Sequence, residues 1–266
     1  MGISMSEVVR AIEGRPLLSI VMPVRNDGNS VQIVSKAINA LLTIPLEIVV
    51  VHDTPDDDAV QAVAVLREKF SNIYCIHNQR GRGVANAVIS GVEAAKGSYV
   101  VTFAADDLGP VLALERMVKY MDAGCQFVSV TRYSGGGRCF GGTPIARLLS
   151  SLANKSFRFL SASVLHDCTM GFKMFRKDVF PRFELSPNGA GWSFAFEMSI
   201  KAQLLNLRIA EVPIVSLNRV FDDDGISSFK LWSWIKVYLH WFWYGVARLH
   251  VFRKNKSQLM RLECAR

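Results

Sequence analysis

Five short apolar runs rich in β-branched residues, most of them followed by a stretch of helical periodicity, leave this chain few folds to choose from. The runs lie at residues 17–24, 46–53, 72–78, 98–105 and 126–133, and the helical patterns at 30–42, 57–70, 84–96 and 111–123. Such alternation predicts an α/β fold, a mostly parallel sheet with helices on both faces. With 266 residues, 50% of them hydrophobic, the chain buries a substantial core, and disorder of the whole is excluded. No internal repeat or low-complexity linker interrupts the pattern. Residues 135–142, GGGRCFGG, read as a mobile loop beside a site rather than a domain boundary.

Open parallel sheets place their ligands beyond the carboxyl ends of the strands, and three strand ends here carry suitable chemistry. The fourth run, in VVTFAADDLGP, stops at Asp106 and Asp107. Adjacent carboxylates there point to a divalent cation: Mg²⁺ takes one or two protein carboxylates and completes its shell with water and phosphate oxygens, which makes a nucleoside diphosphate the natural partner. The alternative is that Asp107 caps the following helix. The first run leads into Pro23-Val24-Arg25-Asn26-Asp27, and the second into His52-Asp53-Thr54-Pro55-Asp56-Asp57-Asp58. Asp53 is placed to grip a nucleoside, whereas Asp57 and Asp58 read as helix N-terminal charge. Gly81-Arg82-Gly83-Val84-Ala85-Asn86 opens a helix, but it lacks a third glycine and follows the third strand, which argues against a dinucleotide-binding dehydrogenase.

A formal charge of +8 favours a polyanionic partner: nucleic acid, an anionic membrane or a phosphorylated substrate. No nucleic-acid recognition motif is present, so nucleic acid is not expected. Five scattered cysteines without a C-x-x-C pair fit a reducing compartment and argue against zinc. The first sixteen residues carry acids and no apolar core, so no secretory signal is expected and the cytoplasmic side is. Residues 229–256 hold Trp232, Trp234, Trp241 and Trp243, but Lys236, His240 and Arg248 interrupt any membrane-spanning run. Ser233, Lys236, His240, Tyr244 and Arg248 form a narrow polar stripe on a broad apolar surface, and Arg253, Lys254 and Lys256 follow. This predicts an amphipathic aromatic helix, lying in the interface of an anionic bilayer or packed on the catalytic domain or a twin subunit. The chain accordingly divides into a catalytic domain, 1–228, and a basic amphipathic segment, 229–266.

Taken in order, these strand ends resemble the family 2 inverting glycosyltransferases of the GT-A fold, in the dolichol-phosphate mannosyltransferase-like branch. Residues 23–27 stand for the family's P-x-x-N-E, residues 52–56 for D-D-x-S-x-D, residues 81–85 for G-x-G-x-A, and Ala105-Asp106-Asp107-Leu108 for D-x-D-L. Arg132-Tyr133 with Gly135-Gly136, Asp167-Cys168-Thr169-Met170-Gly171-Phe172-Lys173 for D-x-x-S-G-F-R, Phe196-Glu197-Met198, Glu211-Val212-Pro213-Ile214, Arg219 and residues 225–230 continue the series. Three departures stand out. Ala105 replaces the first metal-site aspartate, Ser228 a lysine, and Asp27 a glutamate.

The resemblance implies transfer of a sugar from a nucleoside diphosphate donor to the phosphate of a polyprenyl (undecaprenyl or dolichyl) carrier, or to a related glycan-assembly acceptor. The protein would be peripheral on the cytoplasmic face of the membrane, with Mg²⁺ or Mn²⁺ as cofactor and a homodimer or membrane-protein partner in view. An ionised phosphate acceptor requires no general base, so positioning and charge neutralisation carry the catalysis. On this reading Asp107, Arg132 and Arg219 are catalytic, and Asp107 with Asp106 hold the metal. Pro23, Val24, Asn26, Asp27, Asp53, Gly83 and Asp106 bind the donor. Arg132, Arg147, Ser150, Arg219 and Lys230 hold the acceptor phosphate, arginine's fork suiting phosphate oxygens. Glu197 reads as a buried partner of one of these arginines. The alternative function is a non-catalytic subunit that binds nucleotide sugar within a glycan-assembly complex.

Overall fold

The computed structural model describes residues 16–141, 143–186, 189–217, 231–251 and 259–260. Arg219, Ser228, Lys230, Asp222–Asp224 and the basic residues after the last helix lie outside the described residues, as does the N-terminal segment.

The first half alternates as the sequence predicts: β1 (Leu18–Val24), α1 (Gly28–Leu41), β2 (Leu46–His52), α2 (Asp58–Arg67), β3 (Ile73–His77), α3 (Val84–Ala94) and β4 (Tyr99–Thr102). β2, buried at every position, is paired on both sides and covered on both faces. A 3₁₀ turn (Gly109–Ala113) and α4 (Leu114–Asp122) lead to β5 (Phe127–Thr131), β6 (Arg138–Phe140) and α5 (Pro144–Ser161). Then come β7 (Lys173–Arg176), a second 3₁₀ turn (Lys177–Phe183), α6 (Ser193–Leu204), β8 (Ile209–Pro213), β9 (Val215–Leu217) and α7 (Leu231–Val251).

The main sheet has the order β3-β2-β1-β4-β7-β5-β8. All neighbours are parallel except β7, which runs antiparallel between β4 and β5 and is the sole link between them. β6 and β9 form a separate parallel pair. The glycine-rich stretch expected to be a loop therefore contains a strand, because residues 138–140 find a partner 77 residues later in Val215, Ser216 and Leu217. On the outer edge, Leu259 bridges to Ile209 and the Met260 amide bonds to the Ile209 carbonyl, covering the exposed side of β8.

Two hydrophobic layers sandwich the sheet. One lies under α1, α2 and α4, the other under α3, α6 and α7. α7 belongs to the second layer: Trp241 is buried, Phe242 meets Phe157 of α5 edge-on at 5.5 Å, and Trp234 rests on Gly191. Its other side exposes Leu239 and Trp243 (60%), and α5 beside it exposes Leu148, Leu149, Leu152 and Phe159 (86%). Among the described residues, no helix is long and apolar enough to cross a membrane.

Candidate active site

The loops after β1, β2, β3 and β4 lie at one edge of the sheet, and aspartates cross-link the first three. Asp57 caps α2 by accepting from the Ala59 amide, and its second oxygen accepts from the Asn26 amide at 3.1 Å. Asp58 accepts from Gly28 at 2.9 Å, and Asp27 turns back onto the Arg25 amide. These bonds hold Asn26 at φ 54°, a left-handed conformation that asparagine tolerates better than most residues. Asp53 organises the next loop, its carboxylate taking the Gly83 amide at 3.0 Å and the Asn78 amide group at 2.8 Å. Gly83, at φ 133°, has open space where a side chain would stand. Pro23, Val24, Asn26, Asp27, Asp53 and Gly83 thus share one rim.

Asp106 and Asp107 have different surroundings. Asp106 is half-buried, while Asp107 is 1% exposed. The Asp107 carboxylate accepts from the Gly109 amide at 3.0 Å, the Leu217 amide at 2.9 Å and the Ser216 hydroxyl at 2.5 Å. It both starts the 3₁₀ turn and fastens β9 to the loop after β4. A side chain at 109 would run into the Val215 carbonyl, so only glycine permits this approach. Among the described residues, no three His, Cys, Asp or Glu side chains converge as a metal cage. A cation held here would meet Asp106 and an Asp107 whose two oxygens already accept hydrogen bonds, and would draw its remaining ligands from a diphosphate.

Beyond β5 a second cluster forms around Arg132. Its Nε and Nη2 grip the Asp167 carboxylate at 2.7 and 3.1 Å, and Nη2 also reaches the Thr169 hydroxyl at 3.2 Å. Burial works against both charges, and each partner overcomes this for the other: Arg132 is held above the ordinary guanidinium range and Asp167 below the ordinary carboxylate range. Asp167 also receives the amides of Arg132, Thr169 and Met170. Tyr133 stacks under the guanidinium at 4.9 Å and donates its hydroxyl to Ser150 at 2.7 Å. Arg147 sits a turn before Ser150 and contacts the Cys139 carbonyl at 3.5 Å. Tyr238 of α7 lies near enough to feel the charge of Arg132, though burial dominates and pushes its phenol up to about 12.

Several residues of this cluster went unnoticed in the sequence. Asn154 bonds the Thr169 hydroxyl and the Cys168 amide from α5. Glu211 takes the amides of His166 and Asp167 and the His166 ring at 2.7 Å. Only the two motifs that begin at Asp167 and at Glu211 marked the place. Glu197, expected to face an arginine, instead pairs with Lys201 one turn along α6 at 2.7 Å. That i,i+4 partner was visible in the helical spacing. Cys75, Cys125 and Cys168 have thiols that burial pushes up to about 11, 11 and 12, which makes them poor nucleophiles at neutral pH.

Lys173 lies wholly buried beneath Asp167, donating to Ser129 Oγ at 2.7 Å and the Asp167 carbonyl at 3.4 Å. Burial lowers its ammonium from the ordinary 10.5 to about 8, against the pull of Asp167. Between these values the unfolded chain keeps a proton that the folded chain has released, so this group makes stability rise with pH across that window. Lys173→Met should lack the rise. The stability of the variant relative to the natural protein, from urea midpoints, is expected to decline from pH 8 to pH 10, and parallel pH profiles would refute the assignment.

The profile of the family described as Glycosyl transferase family 2 matches residues 19–183. The chain is 29% identical to the dolichol-phosphate mannosyltransferase of Mycosarcoma maydis over 168 residues, 63% of this chain and 56% of that protein. For the dolichol-phosphate mannosyltransferase of Pyrococcus furiosus the identity is 27% over 199 residues, 74% and 55% of the two chains. For the polyprenol monophosphomannose synthase of Mycolicibacterium smegmatis it is 24% over 205 residues, 75% and 77%. The chain thus spans little more than half the length of the first two relatives. Glucosyl-3-phosphoglycerate synthase from Mycobacterium tuberculosis, solved with Mn²⁺, UDP and glucosyl-3-phosphoglycerate, superposes with a TM-score of 0.66 at 17% identity, covering 93% of this chain and 85% of that one. The same enzyme with Mg²⁺ and UDP gives 0.65 at 18%, covering 93% and 85%. That likeness is one of fold, and the architecture is GT-A. Strand-end loops in the family's order, on that architecture, and a profile match over more than half of its length make the chain a member of glycosyl transferase family 2.

Proposed function

We propose that the protein transfers a sugar from a nucleoside diphosphate donor to a polyprenyl phosphate, such as undecaprenyl or dolichyl phosphate, as a peripheral protein on the cytoplasmic face of a membrane. The carrying observation is Arg132. Its Nε and Nη2 are fixed on Asp167 and Thr169 while Nη1 has no bonded partner among the described residues, and the helix that shares its cluster exposes leucines and a phenylalanine. A preset guanidinium edge suits a phosphate oxygen, and an apolar helix face beside it suits the acyl boundary that a lipid phosphate occupies. The names of the relatives, which make dolichol-phosphate mannose and polyprenol monophosphomannose, support the same acceptor.

On the donor side, Asp53 and the loop after β1 hold the nucleoside. Asp106 and Asp107 would hold Mg²⁺ or Mn²⁺, which supplies charge neutralisation for the departing diphosphate. Arg147 and Ser150 extend the phosphate site, and Arg219 and Lys230 are proposed to complete it. The relatives solved with Mn²⁺ or Mg²⁺ support the cation. Residues 229–266 are proposed to meet the membrane through the side of α7 that carries Leu239 and Trp243.

The test is transfer from radiolabelled UDP- and GDP-sugars to polyprenyl phosphate in detergent micelles, with Mg²⁺ or Mn²⁺ and with a chelator. A lipid-soluble, acid-labile sugar phosphate that requires metal is the expected product. Nucleotide binding without product from any donor would overturn the reading. It would favour instead a non-catalytic nucleotide-sugar-binding subunit, to which the three donors already filling Asp107 lend support.

A further inference from the structure

Two polar atoms on α6 are buried with nothing to bond to among the described residues: Ser193 Oγ and Glu197 Oε2. Both residues are 0% exposed. A buried donor or acceptor left unpaired destabilises the fold, and folded proteins keep few of them. Four positions apart, the two side chains share one face of the helix.

Their setting is built rather than accidental. Glu197 Oε1 is tied down by the Ser186 amide at 3.0 Å, the Ser186 hydroxyl at 3.3 Å and Lys201 at 2.7 Å, which fixes the carboxylate while leaving Oε2 without a bond. α6 precedes β8, which is parallel to β5, so the helix starts at the ligand edge of the sheet and Ser193 is its first residue. A Cβ on Gly189 would lie 3.3 Å from Ser193 Oγ and 3.6 Å from the Ala85 methyl, and Ala85 is the second residue of α3, directly after the loop that Asp53 holds. Ser193 therefore lies toward the loop that Asp53 holds, with Glu197 one helical turn further along α6.

The chemistry of the two atoms selects a ligand. A carboxylate oxygen only accepts, and a serine hydroxyl both donates and accepts. An anion would be repelled by Glu197, whose charge is already answered by Lys201. Neutral hydroxyl groups satisfy both atoms at once. We infer that Ser193 and Glu197 recognise ring hydroxyls of the donor's sugar, an assignment that rests on the donor reading above. The unpaired atoms are then a cost carried by the free protein and relieved by the sugar.

Calorimetric binding of a panel of UDP- and GDP-sugars, with UDP and GDP as sugar-free comparisons, tests this on the full chain, together with thermal melting. Ser193→Ala should melt higher than the natural protein without ligand, since a buried unpaired hydroxyl is gone. It should bind the bare diphosphate within twofold of the natural protein and the matching nucleotide sugar at least tenfold more weakly. Glu197→Gln, which keeps the shape, should show the same selective loss. Sugar-nucleotide affinity that is unchanged, or that falls in step with the bare diphosphate, overturns the assignment and leaves the donor reading standing. A natural protein that binds none of the nucleotides overturns both.

Discussion

Asp167→Ala should lower the folding free energy by about 3–5 kcal/mol, because it strands the buried Arg132 guanidinium without a counter-charge. On a total that for a domain is typically about 5–15 kcal/mol, this is enough to leave the protein marginal at physiological temperature. The loss reaches further than one ion pair. Asp167 also holds the amides that shape the turn at Thr169 and Met170, so the loop from α5 to β7 loses its anchor. Urea unfolding measures the effect, and a loss below about 1 kcal/mol would contradict the buried-pair account. The paired replacement Arg132→Met with Asp167→Leu should recover only the part of the loss that comes from the stranded charge, because the Thr169 and Met170 amides still lack their acceptor.

Asp107→Asn should act in the opposite way, sparing the fold and removing turnover. The asparagine oxygen can still take the Gly109 and Leu217 amides, and Ser216 can turn its hydroxyl to accept from the new amide group. What is lost is the charge, and if Asp107 helps hold the metal as proposed, a fall in turnover on the order of a hundredfold or more is expected. Asp56→Asn, on an exposed turn, is the control and should leave turnover unchanged. Full activity in Asp107→Asn with an unchanged melting curve would remove this residue from the catalytic machinery.

The first half of the fold was legible because each strand there is a local apolar run and each connection a local helix, so β1 to β3 fall within one residue of the expected bounds and β4 ends three residues short. The second half was not. β7 lies inside a motif, and its partners are 71 and 44 residues away in the Thr102–Lys173 and Ser129–Lys173 pairs. Three-residue strands such as β6 and β9 carry no periodicity at all. At the site the charged residues could be named from the sequence, but not how firmly each is held. Burial and donors at Asp107 come from Ser216 and Leu217, over a hundred residues downstream. The anchoring of Arg132 likewise depends on Asn154 and Thr169, polar residues of ordinary appearance that gain meaning only when α5 and the loop before β7 pack together.

The antiparallel strand at the middle of the sheet also orders events in time. β1 to β4 can pair as soon as they are made, whereas β5 has no neighbour until β7 arrives, and then joins the rest of the sheet only through it. A chain emerging from the ribosome therefore holds β1 to β4 ready while β5 and the stretch carrying Arg132 wait for their keystone. Long-range pairing of this kind is slow and leaves apolar strands open meanwhile. Shortened chains that stop before residue 173 would keep the loops after β1 to β4 yet present two unmatched strand edges, β4 and β5, as templates for aggregation.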